Sequence, residues 1–251
     1  MKLFKAKADV IVYTMGKVGS SSVSQSLKAA GVNCYDVHFL ETERMGNMLK
    51  RYLNNPDLKQ TPPHIIESIL VRDHIEASNQ VRVISLIRNP IMRNISAVFQ
   101  NTPIRMQKDR DAIFERLRNT NARTPDIWFK KDFIPVTGID VFKHDIDSSA
   151  DHFRFNKGKF DILLLKLEAH DERKSKLISD FLGKKIVLSR ANEANNKWYR
   201  DIYKQVMESP GAVRDGYIDE CMNLKTIKKF YSDDERQKFQ EMAAPKTASG
   251  G

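Results

Sequence analysis

"VIVYTMGKVGSSSVSQSLKAAG", residues 10 to 31, joins a β-branched apolar run to a Gly/Lys/Ser turn and then to a segment with apolar residues at helical spacing. Asp9 to Thr14 reads as a buried strand. Val23, Leu27 and Ala30 share one side of a following helix, and Gly31 is a natural stop for it. A strand that runs through a glycine-rich turn into a helix is the opening of an α/β fold with a phosphate-cradling loop. The usual nucleoside triphosphate loop, G-x-x-x-x-G-K-[ST], places a hydroxyl directly after its lysine to hold magnesium. Here Val18 follows Lys17, and Ile11 stands where the first glycine belongs. The sequence therefore predicts a loop that binds phosphate without that metal.

The residue types suit an anion. Gly16 and Gly19 let the backbone approach a ligand, Lys17 supplies mobile positive charge, and Ser20, Ser21 and Ser22 can donate hydroxyl hydrogen bonds. The amides opening the helix add about half a positive charge from its dipole. A serine-capped helix start with a solvated lysine is the alternative.

The same pattern returns further along. "VNCYDVHFL" (32–40) is a second strand and its exit, residues 43–54 and 64–78 have helical spacing, and "VRVISLIR" (81–88) is a strongly β-branched strand. It leads at once into "NPIMRNISAVFQN", where Asn89 is a fitting N-cap and Pro90 suits the first helical position. Arg93, Ser96 and Gln100 form a polar stripe on that helix, with Ile91, Ile95, Val98 and Phe99 opposite. Arg88 at the helix entrance and Ser96 within it could pinch one phosphate. Alternation of this kind predicts parallel strands with ligands at their carboxyl ends, both loops sharing one edge. "HFRFNKGKFDILLLKLE" (152–168) reads as a hairpin about Asn156 to Gly158 whose second strand joins the central sheet, and "KKIVL" (184–188) as a further strand.

Composition narrows the partners. The 251 residues suffice for one domain, read as 1–242 with a loose tail at 243–251, and no Gly/Pro/Ser-rich stretch marks an internal boundary. Forty-two Lys and Arg against 32 Asp and Glu give a net charge of +10, which attracts nucleotides or other polyanions. No basic run interleaved with aromatics and no zinc-finger spacing is present, so nucleic acid is not the expected partner. Ala8 to Thr14 is too short for a signal or membrane helix, so a cytoplasmic protein with no stable membrane insertion is expected. Cys34 and Cys221 lack disulfide or metal spacing and read as structural. Nothing in the sequence bears on oligomeric state.

K-x-G-S-S after the first strand and R-N-P-x-x-R-x-x-S after a later one together resemble the sulfotransferase superfamily. The resemblance covers about the first hundred residues. More narrowly, "VHFL" and "NNKWYRDIY" (195–203) are similar to bacterial sulfotransferase-like proteins of capsular polysaccharide synthesis. The superfamily implies a P-loop-like three-layer α/β sandwich, a central mainly parallel sheet flanked by helices. It implies a sulfuryl group moved from phosphoadenosine phosphosulfate (PAPS) to a hydroxyl or amine of a carbohydrate or other small acceptor. The nucleotide product is adenosine 3′,5′-bisphosphate, and no metal takes part. Lys17 and the amides and hydroxyls of Gly19 to Ser22 then match the motif for the 5′-phosphosulfate, with Gly16 in the same binding loop, and Arg88 with Ser96 matches the 3′-phosphate pair. Gly16 stands where many members have proline, and Ser22 where they have an aromatic.

Such a transfer needs positive charge at the leaving phosphate, a task for Lys17, and a base for the acceptor. His38 exits a strand on the presumed active edge and ranks first. Glu41 and Glu43 follow it, while His64 and His74 lie on a helical stretch. Lys197 and Trp198 fall in a late segment that in sulfotransferases folds over the nucleotide, where an aromatic can stack on adenine; a capped helix with a core tryptophan is the other reading. A magnesium-dependent P-loop kinase or hydrolase, and a non-catalytic nucleotide binder of the same fold, are the alternatives. Residues 101–150 show no interpretable motif.

Overall fold

In the computed structural model, which describes residues 8–54, 63–106, 109–189, 206 and 213–243, the first strand, β1 (Val10–Tyr13), is fully buried. After the loop comes α1 (Ser20–Ala29). Gly31, at φ 69°, closes this helix: its N–H bonds to Lys28 O and the Val32 N–H reaches back to Leu27 O. The chain continues through β2 (Cys34–Val37), α2 (Thr42–Leu53), α3 (Pro63–Ala77), β3 (Val81–Ile87) and α4 (Pro90–Gln100).

Next come α5 (Arg110–Arg118), α6 (Thr124–Trp128), a π-helical turn at Phe129–Phe133 and α7 (Ile134–Thr137). The hairpin β4 (His152–Lys157) and β5 (Phe160–Lys166) turns at Gly158 and Lys159, one residue later than the sequence suggested. Then follow α8 (Asp171–Leu182), α9 (Tyr217–Met222), α10 (Lys225–Phe230) and α11 (Asp233–Ala243).

The described chain falls into two compact units. The first comprises Met1–Ile87, Ile127–His144 and Ala150–Ala191. It holds one five-stranded sheet in the order β2-β1-β3-β5-β4, with β1 parallel to β2 and β3, β3 parallel to β5, and β4 alone antiparallel. The chain leaves β1 for β2 on one side and returns to β3 on the other, so the strand order reverses at the carboxyl ends of β1 and β3, the point where open α/β sheets hold ligands. β3 and β5 are buried along nearly their whole length, as central parallel strands must be. α1 packs on β1 and β2, α3 on β2, and α8 on β5.

"KKIVL" is not a strand. The amides of Ile186, Leu188 and Ser189 donate to the hydroxyls of Ser179, Ser175 and Ser26 at 2.8, 3.0 and 3.0 Å. An apolar run whose amides are taken by helix serines has none left for a ladder.

The second unit comprises Arg88–Asp126, Asp145–Ser149 and Asn192–Gly251. Asn89 caps α4, accepting the Ile91 N–H at 2.9 Å with Pro90 at the first helical position. α4 packs against α5 and α9. The Asn94 side chain ties it to the Asn121 and Ala122 carbonyls at 3.3 Å and to the Tyr217 hydroxyl at 2.9 Å. Asp126 holds the start of α10 through the amides of Lys225 and Thr226, both at 2.9 Å. Cys34 and Cys221 are free and buried; burial pushes their thiols up to about 11 and about 12, which suits a structural role. Among the described residues, no helix is long and apolar enough to cross a membrane.

Candidate functional site

The loop between β1 and α1 lies at the reversal point of the first unit's sheet. Gly16, Lys17 and Gly19 have φ of 76°, 63° and 82°, and Lys17 is the only residue other than glycine with positive φ among the described residues. Left-handed backbone at a lysine is strained and points to a constrained turn. Gly19 is the N-cap of α1, no side chain caps that helix, and its first turn holds no acid. The serine-capped start is thus not what forms: the opening amides of α1 are left to a ligand or to solvent. Val18 is fully buried, as is Ile11, so the position that would hold magnesium in a triphosphate loop is part of the core.

Gly19 is a position for prediction. A Cβ there would lie 2.6 Å from Leu167 Cδ1, in a residue at φ 82°. The leucine methyl can swing aside; the backbone cannot. Gly19→Ala should therefore cost about 1–2 kcal/mol of stability from the left-handed backbone, measured by denaturant unfolding. Adding Leu167→Ala should recover little, and full recovery would show that the contact, not φ, selects glycine.

His38, just past β2, lies against this loop. A Cβ on Gly16 would stand 3.6 Å from its Cδ2 and Nε2. His38 Nδ1 is 3.1 Å from the Thr14 carbonyl and 3.3 Å from Thr14 Oγ1. A carbonyl only accepts, so in the neutral ring Nδ1 carries the proton and Nε2 keeps its lone pair beside the Gly16 turn. The His38 carbonyl accepts from Trp128 Nε1 at 2.9 Å.

Glu41 has another task. Its carboxylate accepts the amides of Glu43 at 3.0 Å and Arg44 at 2.8 Å and so caps α2. Burial pushes its carboxyl up, but these two bonds and the charges of Arg44 and Arg72 outweigh that and hold it below its ordinary value. Such a group is a weak base. Glu43 is exposed in the first turn of α2, and His74 pairs with Ser78 on α3.

Two acids that the sequence did not single out matter here. Asp36, in β2, accepts the Ser20 hydroxyl, so this serine of the loop is committed to a carboxylate; Ser21 is exposed and Ser22 half-buried. Burial raises the Asp36 carboxyl to about 6, against the lowering effects of Ser20 and Lys28, and its Oδ1 has no hydrogen-bond partner. A carboxyl raised on folding contributes stability in its protonated form, lost as pH climbs through 6. Asp36→Asn should therefore stabilise the chain by about 3 kcal/mol above pH 7 and have little effect below pH 4, as read from unfolding at the two pH values.

Asp132, wholly buried in the π-helical turn, is the second. Its Oδ1 accepts the Tyr13 hydroxyl and the amides of Leu40 at 2.9 Å and Glu41 at 3.2 Å, and its Oδ2 is 3.2 Å from Arg44 Nη1. Burial raises its carboxyl, partly offset by these partners, with Tyr13 first. With Trp128 on the His38 carbonyl, the turn grips the segment 38–44 at several points. Only long-range contact reveals this, since Tyr13 and Asp132 are far apart in sequence.

In the second unit Arg88 and Ser96 are half-buried, while Arg93 is 8% exposed. Arg93 Nη1 donates to Asn94 Oδ1 at 2.9 Å. Burial lowers the Arg93 guanidinium to about 10; Tyr217 opposes that and the like charge of Arg88 adds to it. The Arg88 guanidinium is close enough to disfavour the charge of buried Arg93, and an anion there would offset that. Lys197 and Trp198 lie outside the described residues.

No curated protein and no solved structure matches the chain. A family model described as "NKWYS: Putative capsular polysaccharide synthesis protein" matches residues 101–232, a span that begins after both loops and carries the π-helical turn, the β4–β5 hairpin and the run Asn196-Lys197-Trp198-Tyr199. That span is just over half of the 251 residues, and the chain belongs to this family.

Proposed function

We propose that the protein is a PAPS-dependent sulfotransferase that acts, in the cytoplasm, on a hydroxyl or amine of a carbohydrate in polysaccharide biosynthesis. The observation that carries this is the β1–α1 loop: a lysine held left-handed between two left-handed glycines, at the uncapped start of a ten-residue helix, with a histidine nitrogen beside it. A phosphate suits such a turn, because the opening amides of α1 carry partial positive charge and Lys17 adds a full one from within the same loop. The sheet order and the loop together favour the P-loop-like three-layer sandwich over other α/β arrangements.

The roles follow from chemistry. Lys17, with the amides of Gly19 to Ser22, meets charge developing on the leaving phosphate oxygen. His38 Nε2 takes the acceptor's proton as its oxygen or nitrogen bonds to sulfur and the bond from sulfur to the phosphate oxygen breaks. Arg88 and Ser96, supported by the buried charge of Arg93, bind the 3′-phosphate. The family description and the net charge of +10 favour a carbohydrate acceptor and an anionic donor. A magnesium-dependent kinase is the less favoured reading, because buried Val18 leaves no hydroxyl for the cation.

The test pairs labelled PAPS with ATP, each with and without excess chelator. Sulfuryl transfer that persists in chelator is expected. Chelator-sensitive phosphoryl transfer from ATP, with none from PAPS to a broad acceptor panel, would promote the kinase. Binding alone, with no transfer, would leave a nucleotide-binding relic. Arg88→Ala or Ser96→Ala should weaken adenosine 3′,5′-bisphosphate by roughly 1.5–3 kcal/mol and barely change adenosine 5′-phosphate. Equal losses for both nucleotides would remove these residues from the 3′-phosphate.

A further inference from the structure

A cleft of about 750 Å³ opens along the segment that follows the candidate base in sequence, and the described residues lining it are Phe39, Arg44, Asn47, Met48, Lys50 and Asn54. All belong to the segment that leaves β2 directly after His38 and runs through α2. Their chemistry is mixed in a particular way. Phe39 and Met48 give apolar surface, Asn47 and Asn54 give side-chain amides, and Arg44 and Lys50 give two cations; none of these six is an acid. A sugar ring offers C–H faces for the first group and hydroxyls for the second. The third group has a use only if the sugar is itself charged.

Arg44 is built into this position. Its guanidinium lies over the Phe39 ring at 4.9 Å from the centroid. Asp132 Oδ2 lies 3.2 Å from its Nη1 as an ion pair without a hydrogen bond, and Asp132 is in turn fixed by the Tyr13 hydroxyl and the amides of Leu40 and Glu41. A guanidinium set between a buried carboxylate and an aromatic face loses less freedom than a solvated one when its N–H groups meet a second carboxylate. Lys50, exposed two turns after the start of α2, adds charge that no acid offsets in an ion pair among the described residues.

We propose that this cleft is the acceptor subsite, that its occupant is an acidic sugar such as a uronic acid residue, and that Arg44 and Lys50 read the carboxylate. Asp132 is the positioning residue for Arg44. The proposal rests on the sulfotransferase function only for the word acceptor; the recognition chemistry stands on the cleft itself.

Binding of fluorescently labelled trigalacturonate and α-1,4-galactotriose, two trisaccharides of the same linkage and configuration that differ in their carboxylates, tests it without nucleotide. The acidic trimer should bind at least about tenfold more tightly than the neutral one, one charge-assisted contact being worth that ratio. Lys50→Gln and Arg44→Met should each lower affinity for the acidic trimer by about tenfold and leave the neutral trimer unchanged. Lys143→Gln removes the same charge from an exposed side chain outside the cleft and should change neither. Arg44→Met leaves a buried carboxylate unpaired and can unfold the chain, so Lys50→Gln decides if it does.

Equal affinity for the two trimers overturns the proposal. So does a loss in Lys143→Gln that matches the loss in Lys50→Gln, which would mean general charge attraction. Acid-selective, Lys50-dependent binding with no sulfuryl transfer to any acceptor, acidic or neutral, would overturn the sulfotransferase function and leave the acidic-sugar site standing. Sulfuryl transfer to neutral and acidic acceptors alike, with charge-blind binding, would do the reverse.

Discussion

Replacing Lys17 by glycine is expected to lower sulfuryl transfer on the order of 100-fold or more while leaving thermal stability undiminished. In the proposed transfer the ammonium group meets charge that develops only as the phosphate leaves, so its loss would fall on the transition state and not on packing. Lys17 is half-buried and held at φ 63°, in a region that costs a non-glycine residue about 1–2 kcal/mol. Glycine relieves that strain and gives back about 0.5–1 kcal/mol through the freer unfolded chain. The two nearly cancel, so a stable, inactive protein is the expected result. Lys17→Ala keeps the strain and should be equally inactive. Initial rates with saturating PAPS, beside melting curves of both variants, separate the two quantities. Undiminished turnover in either would remove Lys17 from the mechanism.

His38→Ala should lower kcat by roughly 10²–10⁴-fold and change affinity for adenosine 3′,5′-bisphosphate only slightly. The wild-type rate should rise with pH as the imidazole loses its proton, since only the neutral ring accepts one from the acceptor. In the variant that rise should be gone. Asp36 is the competitor, because its buried carboxyl titrates near 6 beside the same loop. Were Asp36→Asn to flatten the profile while His38→Ala kept it, the base would be Asp36.

The parts of the fold that could be read from sequence are those in which local chemistry and tertiary place agree. β1, β3 and β5 are β-branched or apolar runs that a parallel sheet buries on both faces, and Asn89-Pro90 starts a helix wherever it stands. The loop was legible because glycine, lysine and serine carry its properties in their own side chains and backbone. "KKIVL" misled because β propensity does not say whether a neighbouring strand has bonds to offer, and three serines supplied them instead. Glu41 read as a base because a carboxylate after a strand suits that role. That it precedes a helix by one residue was the available sign of a cap. Asp36 and Asp132 had no local signature. One gains its properties from burial beside Ser20, the other from Tyr13, Leu40, Glu41 and Arg44, all brought to it by the fold.

The sheet order also dictates a sequence of events in time. β4 and β5 pair through a two-residue turn, which a chain can close within about 1–10 μs. β3 meets β5 by joining Val81 to Phe160, and β1 meets β3 by joining Ile11 to Val83, so the parallel core is assembled from distant parts of the chain. Entropy must be lost in closing those long loops before any contact rewards it. The hairpin is therefore the natural early template; β1, which pairs with β2 nearby in sequence and with distant β3, is seated after it, and the β1–α1 loop, whose left-handed turn depends on β1 being seated, takes shape later than the hairpin. In pulse-labelled hydrogen exchange, amides of β4 and β5 should gain protection before those of Ile11 and Val12.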